Sequence, residues 1–134
     1  MNHDYLLYNL KALRIFLSDK NRWCCYTTAR DRDCRTVGAL DTQAVSWCLS
    51  GAISRVSVCD TSPKSQNSRE KTRASKDMHD NLIKHRPGRI KALEKLYGIN
   101  AIVDINDFWH TEHHHILEWI DHTIKEIQIE SKSN

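Results

Sequence analysis

The sequence predicts an α+β fold, predominantly helical, with four to five helices packed with a small antiparallel β-hairpin or a two- to three-stranded sheet. Three observations predict it. Apolar residues recur at helical spacing near both ends of the chain. A stretch rich in Trp, Tyr, Thr and Val separates these regions. Finally, 40% hydrophobic and 28% charged residues is the balance of a globular chain rather than a disordered one. A length of 134 residues suits a single domain spanning 1–134.

Residues 3–19 read as an amphipathic helix, because Leu6, Leu10, Leu13 and Leu17 share one face. Asn2 or Asp4 can cap its start, and Asp19-Lys20-Asn21 ends it. Over 22–38, Trp23, Tyr26, Thr27, Thr28 and Val37 favour extended backbone around the polar turn Arg30-Asp31-Arg32-Asp33, which predicts a hairpin. Asp41 is the expected N-cap of a helix over 42–56 with the stripe Val45, Cys48, Leu49, Ala52, Ile53 and Val56. Its small run Ser50-Gly51-Ala52 lets another element approach closely. Residues 60–76 have no large apolar side chain, so a flexible basic loop is expected there. Helical character returns over 77–85. Pro87 opens a further helix to residue 97, and Gly98 stops it. The β-branched run 99–105 predicts a strand, with a turn at Asn106-Asp107. A last helix runs from Thr111 or Glu112 to Ile129 on Ile116, Ile120, Ile124 and Ile127, before a frayed tail at 130–134. Trp23 and Trp47 are expected in the core. Trp119, beside the isoleucine stripe, is expected at the surface.

No apolar run approaches the roughly 20 residues that span a bilayer, and Met1-Asn2-His3-Asp4 does not open a secretory signal. A cytoplasmic protein is expected. Five cysteines without a C-x-x-C pair predict reduced thiols, with Cys48 buried as a small hydrophobe. Vicinal Cys24 and Cys25 are poorly placed to bridge each other. Cys24, close to Arg22 and Arg30, is the candidate low-pKa thiol. Four scattered glycines exclude a P-loop and a dinucleotide fingerprint. No motif identifies a reaction.

Charge is distributed unevenly. Residues 64–95 carry ten Lys/Arg against four Asp/Glu, whereas 104–134 carry two against seven. The basic stretch (Lys64, Arg69, Lys71, Arg73, Lys76, Lys84, Arg86, Arg89, Lys91 and Lys95) could follow a phosphate backbone. Few aromatics interleave with it, so recognition of an acidic protein fits equally well.

Five of the eight histidines are His110, His113, His114, His115 and His122. On a helix, His110 and His114 have the i, i+4 spacing that lets two imidazoles reach one metal. Asp107 stands one turn earlier, while His115, Glu118 and His122 form a second row. Asp107, His110, His114 and His122 are therefore candidate ligands for zinc, which would make a small metal-dependent hydrolase or nuclease. Against this, no H-E-x-x-H pattern occurs and no cysteine lies nearby. His113 falls on the Ile116–Ile120 stripe and reads as a half-buried core imidazole. The competing reading is a binding surface of Trp109, His110, His114 and Trp119, joined by Arg69, Lys71, Arg73, Lys84, Arg86 and Arg89.

Trp23-Cys24, Ala29-Arg30-Asp31, Asp41-x-x-Ala44-x-x-Trp47-Cys48-x-x-Gly51-Ala52 and the late Asn106-Asp107 together form a pattern. It resembles a family of small uncharacterised bacterial and bacteriophage proteins, over roughly 5–56 and 99–127. Cys34 stands where that family usually has Gly in the hairpin turn. The resemblance implies a small α+β fold and an origin in phage or mobile elements, and it implies no activity. Small phage proteins of this size are often inhibitors of host defence complexes, anti-CRISPR proteins among them. The function expected is thus non-enzymatic: inhibition of such a complex by protein–protein binding. A metal enzyme and a nucleic-acid-binding accessory protein are the alternatives.

Overall fold

The computed structural model describes residues 3–59 and 68–133, with side chains described for 3–58 and 72–132. Helix α1 (His3–Phe16) is followed by a 3-10 turn (Lys20–Arg22), strands β1 (Ala29–Arg30), β2 (Thr36–Val37) and β3 (Ser46–Trp47), and helix α2 (Leu49–Cys59). Helices α3 (Ser68–Lys84), α4 (Gly88–Tyr97), α5 (Ile102–Asp107) and α6 (His113–Ser133) complete the described chain. The expected class is what forms: helices around one small antiparallel sheet of order β2-β1-β3, with Ala29 opposite both Val37 and Trp47. Among the described residues, no helix is long and apolar enough to cross a membrane.

The core lies where α1 meets α2, α3 and α6. The four α1-side leucines are buried, as their spacing requires, against Ile53, Met78, Leu82, Ile116 and Ile120. Pro87 sits at the N-cap of α4, and Gly98 ends that helix with φ 70°, the left-handed conformation that costs glycine little. Cys34 has φ 64° in the β1–β2 turn. That is the left-handed geometry that glycine would adopt most easily.

Five expectations are corrected. The helix expected over 42–56 begins only at Leu49. Asp41 instead closes a short turn by accepting from the Gln43 amide at 2.7 Å. The Val45 amide then donates to the Arg30 carbonyl, and Ser46–Trp47 pair with β1, so ladder bonds claim amides that helix periodicity cannot distinguish. Of the expected loop at 60–76, residues 60–67 lie outside the described chain, while 68–76 belong to α3. Small Ala74 is buried there one turn before Met78 and continues the same face, so docking on α2 compensates for the missing large side chains. The expected strand 99–105 is instead coil leading into α5. Ile102 and Ile105 bury an i, i+3 face, and tertiary packing outweighs β-branched propensity. The tail expected to fray remains helical to Ser133, with Glu130 3.7 Å from Lys84 and 3.3 Å from His85. Trp119, expected at the surface, is 0% exposed and donates to the Leu82 carbonyl at 2.8 Å. Because α6 packs against both α1 and α3, it buries the row beside its isoleucine stripe as well.

Candidate functional site

Several of the residues singled out in the sequence meet at one junction, where the Trp23-Cys24 segment, α2 and α5 touch. Its centre is Asn106, in the last turn of α5 and 0% exposed. Oδ1 accepts from Trp23 Nε1 at 2.7 Å and from the Leu49 amide at 3.0 Å. Nδ2 donates to the Cys24 carbonyl at 3.1 Å and to Asp107 Oδ1 at 3.0 Å. Two acceptor sites and two donors are the whole capacity of an asparagine, and all four are used. Leu49 is the first residue of α2, so Asn106 satisfies an amide that a helix start cannot pair internally. It caps one helix from another.

Arg30, Asp31, Trp47 and Gly51 are fixed by contacts within the sheet, its turns and α2. Arg30 donates to the Cys25 and Cys34 carbonyls at 3.0 and 3.1 Å. Asp31 accepts the Asp33 and Arg35 amides and the Arg35 side chain, and these bonds, the Arg35 amide foremost, lower its carboxyl pKa. Trp47 Nε1 donates to the Ala39 carbonyl. Gly51 is needed because a Cβ there would overlap the Thr28 carbonyl oxygen. This is the close approach expected of the small run in α2.

Beside the junction, Tyr26, Thr27, Thr28, Cys48, Ser50, Val103 and Asp107 line a cavity of about 160 Å³. Tyr26 holds φ 69°, a strained value for a tyrosine, with its amide donating to Asp107 Oδ1 at 2.8 Å. The thiols here are held protonated. Burial raises Cys24 and Cys48, and burial together with the Asp107 charge pushes Cys25 up to about 11. Cys24 is therefore the opposite of the low-pKa thiol expected from its arginine neighbours, since lost solvation outweighs the Arg30 charge. Cys48 is buried, as expected.

The candidate ligands Asp107, His110, His114 and His122 do not converge. Helix α6 begins at His113, so His110 lies outside it and the i, i+4 spacing with His114 is never realised. Asp107 is engaged by Tyr26 and Asn106, and His122 lies two turns further along α6. Among the described residues, Glu112, His114 and His115 are the group whose ligand atoms fall within 4.8 Å of one another. Yet His115 Nδ1 already accepts the Glu112 amide at 2.9 Å. An imidazole here takes the part that Glu or Gln plays in a capping box. Burial first, then Arg89 and His114, lower the His115 pKa. His113 is half-buried, as expected, and its Nε2 donates to the Leu17 carbonyl.

Of the expected binding residues, Trp109 and His110 are exposed and adjacent. Trp109 is 75% exposed. Phe108 stands between Tyr97, Trp109 and His110, at ring separations of 5.2, 6.3 and 5.8 Å. Arg89 donates to the His110 carbonyl at 3.0 Å and fixes the start of this ridge. His114 is exposed beside Glu112, whereas Trp119 belongs to the core. Arg73 and Lys84 are exposed, but Lys84 lies near Glu130 and Arg86 pairs with Glu94. The side chains of Arg69 and Lys71 lie outside the described residues. Much of the described basic stretch thus faces the chain's own acids or carbonyls.

Fold and junction define a small, mostly helical α+β domain in which one buried asparagine of α5 ties the Trp23-Cys24 segment to the start of α2. The chain belongs to the family of unknown function DUF6197, whose model matches residues 1–126. No curated protein and no solved structure matches it.

Proposed function

We propose that this protein acts without catalysis, by binding another protein through the ridge Tyr97, Phe108, Trp109 and His110. The observation that carries this reading is Trp109, a large aromatic 75% exposed at the end of a ring cluster. Exposed aromatics next to charged groups are what binding hot spots are made of. Arg89 holds the ridge in place before any partner arrives, which lowers the ordering cost of association. The proposed partner is a host defence complex in the cytoplasm, and the proposed role is that of an inhibitor carried by a phage or mobile element, of the anti-CRISPR kind. The pattern around Asn106 supports this reading indirectly. Its residues serve the scaffold, and its thiols are held protonated rather than activated.

The test is a capture experiment on a bacterial lysate, paired with a phage-interference assay. The unchanged chain should retain a defence-complex subunit and restore phage growth on a protected host, and Trp109→Ala should lose both while melting at the same temperature. A Trp109→Ala protein with full capture and full inhibition sinks the proposal.

A further inference from the structure

Ser50 and His79 form a pair that neither the junction nor the ridge uses. Ser50 is the second residue of α2. Its Oγ lies 3.3 Å from His79 Nε2, and His79 Nδ1 lies 2.9 Å from the Ser75 carbonyl oxygen, one turn back on α3. A carbonyl can only accept, so Nδ1 carries the ring proton and donates it. Nε2 is left with its lone pair towards the Ser50 hydroxyl, which donates to it. A hydroxyl, a base and a group that orients the base are the parts of an activated nucleophile. Ser50 also lines the cavity shared by Tyr26, Thr27, Thr28, Cys48, Val103 and Asp107. At about 160 Å³, that cavity has room for a small acyl group. The left-handed Tyr26 beside it is the kind of backbone strain that gathers at working sites.

We propose that Ser50 is a covalent modification site, acylated by a small activated ester or thioester with His79 as the base. Ser50 Oγ attacks the acyl carbonyl carbon, forming a C–O bond, and the bond from that carbon to the donor's leaving oxygen or sulfur breaks. The hydroxyl proton passes to His79 Nε2 and from there to the departing alkoxide or thiolate. The product is stable. Acyl-transfer enzymes aim free backbone amides at the developing oxyanion. Here the Leu49 amide is bonded to Asn106, and the Gly51 amide donates to Cys48 Sγ at 3.3 Å. A good leaving group can depart without that help, but water cannot readily displace an ordinary serine ester. Acylation is therefore stoichiometric and not a turnover reaction, which goes beyond the binding reading and leaves it intact.

The full chain is incubated with p-nitrophenyl acetate, and the adducts are located by peptide mapping. Ser50 should be acetylated in the folded protein and unreactive in urea. Ser54, whose hydroxyl meets the Ser50 carbonyl at 3.4 Å and not an imidazole, should stay unmodified. His79→Gln keeps an acceptor for the Ser50 hydroxyl but removes the base. It should slow labelling by about 100-fold or more, while acetylation of surface lysines, the internal reference, is unchanged. Equal labelling of Ser50 and Ser54 in the unaltered chain, no adduct on Ser50, or an undiminished rate in His79→Gln would each overturn the proposal. The Ser50/Ser54 comparison decides the matter even if the variant fails to fold.

Discussion

Replacing Asn106 by alanine tests the junction most directly. The change removes all four of its hydrogen bonds. Leu49 is fully buried, so its amide loses its partner where water cannot replace it, at a cost of about 2 kcal/mol. Trp23 and Cys24 are half-buried, and water can recover part of what they lose, so together they add about 1 kcal/mol. The total of about 3 kcal/mol is large against the roughly 5–15 kcal/mol that holds a domain together. For a chain of this length it corresponds to a melting temperature lower by about 10 °C. Urea denaturation followed by tryptophan fluorescence and circular dichroism reads the loss. Asn106→Asp separates the two halves of the role. It keeps an acceptor for Trp23 and Leu49 but turns a second carboxylate oxygen towards Asp107 and the Cys24 carbonyl, so it too should be destabilised. An Asn106→Ala protein within about 1 kcal/mol of the parent, below the cost of one orphaned buried amide, would refute the reasoning.

Four further outcomes follow from the same structure. Gly51→Ala drives a Cβ into the Thr28 carbonyl and should cost about 2–3 kcal/mol by overpacking, read from the shift in urea midpoint. Trp119→Ala should lose about 4 kcal/mol as a core truncation. In contrast, Trp109→Ala should change stability by less than about 0.5 kcal/mol yet weaken partner binding about 30-fold or more, a contrast that paired melts and titrations resolve. Acidification should destabilise the fold. For His85, burial outweighs the nearby Glu130 carboxylate, and for His115 burial acts together with Arg89, so both pKa values are lowered in the folded chain. The unfolded chain then binds more protons in the window below the ordinary imidazole value of about 6.5, and stability falls as the pH drops through it. A melting temperature at about pH 5.5 equal to that at about pH 8, on either side of that value, counts against this.

Much of the helical framework was legible because its signal is local. Leucines on one face of α1, isoleucines on one face of α6, Pro87 before α4 and Gly98 after it each act within their own element. The errors fell where distant partners decide. Val45 to Trp47 fit a helical stripe as well as a strand, and only pairing with β1 distinguishes them. Ile102 and Ile105 suit a strand by propensity, but α5 must deliver Asn106 to the start of α2, a contact 57 residues away in sequence. In the site, Trp109 and His110 could be read as surface. Trp119 could not be read as core, since one stripe of isoleucines does not reveal that α6 is covered on two sides. The Ser50–His79 pair left no sequence signal, as its members lie on separate helices 29 residues apart.

By itself, then, the sequence determined the class of fold, the apolar faces of its end helices, and the stops at Pro87 and Gly98. Each depends on spacing or on one residue's own backbone preferences, over distances of a turn or two. Only the tertiary structure decided what Asn106, Arg30 and Asp31 do, which histidines can meet, and which thiols are protonated. Hydrogen-bond capacity, burial and charge act between elements that the chain brings together only when it folds.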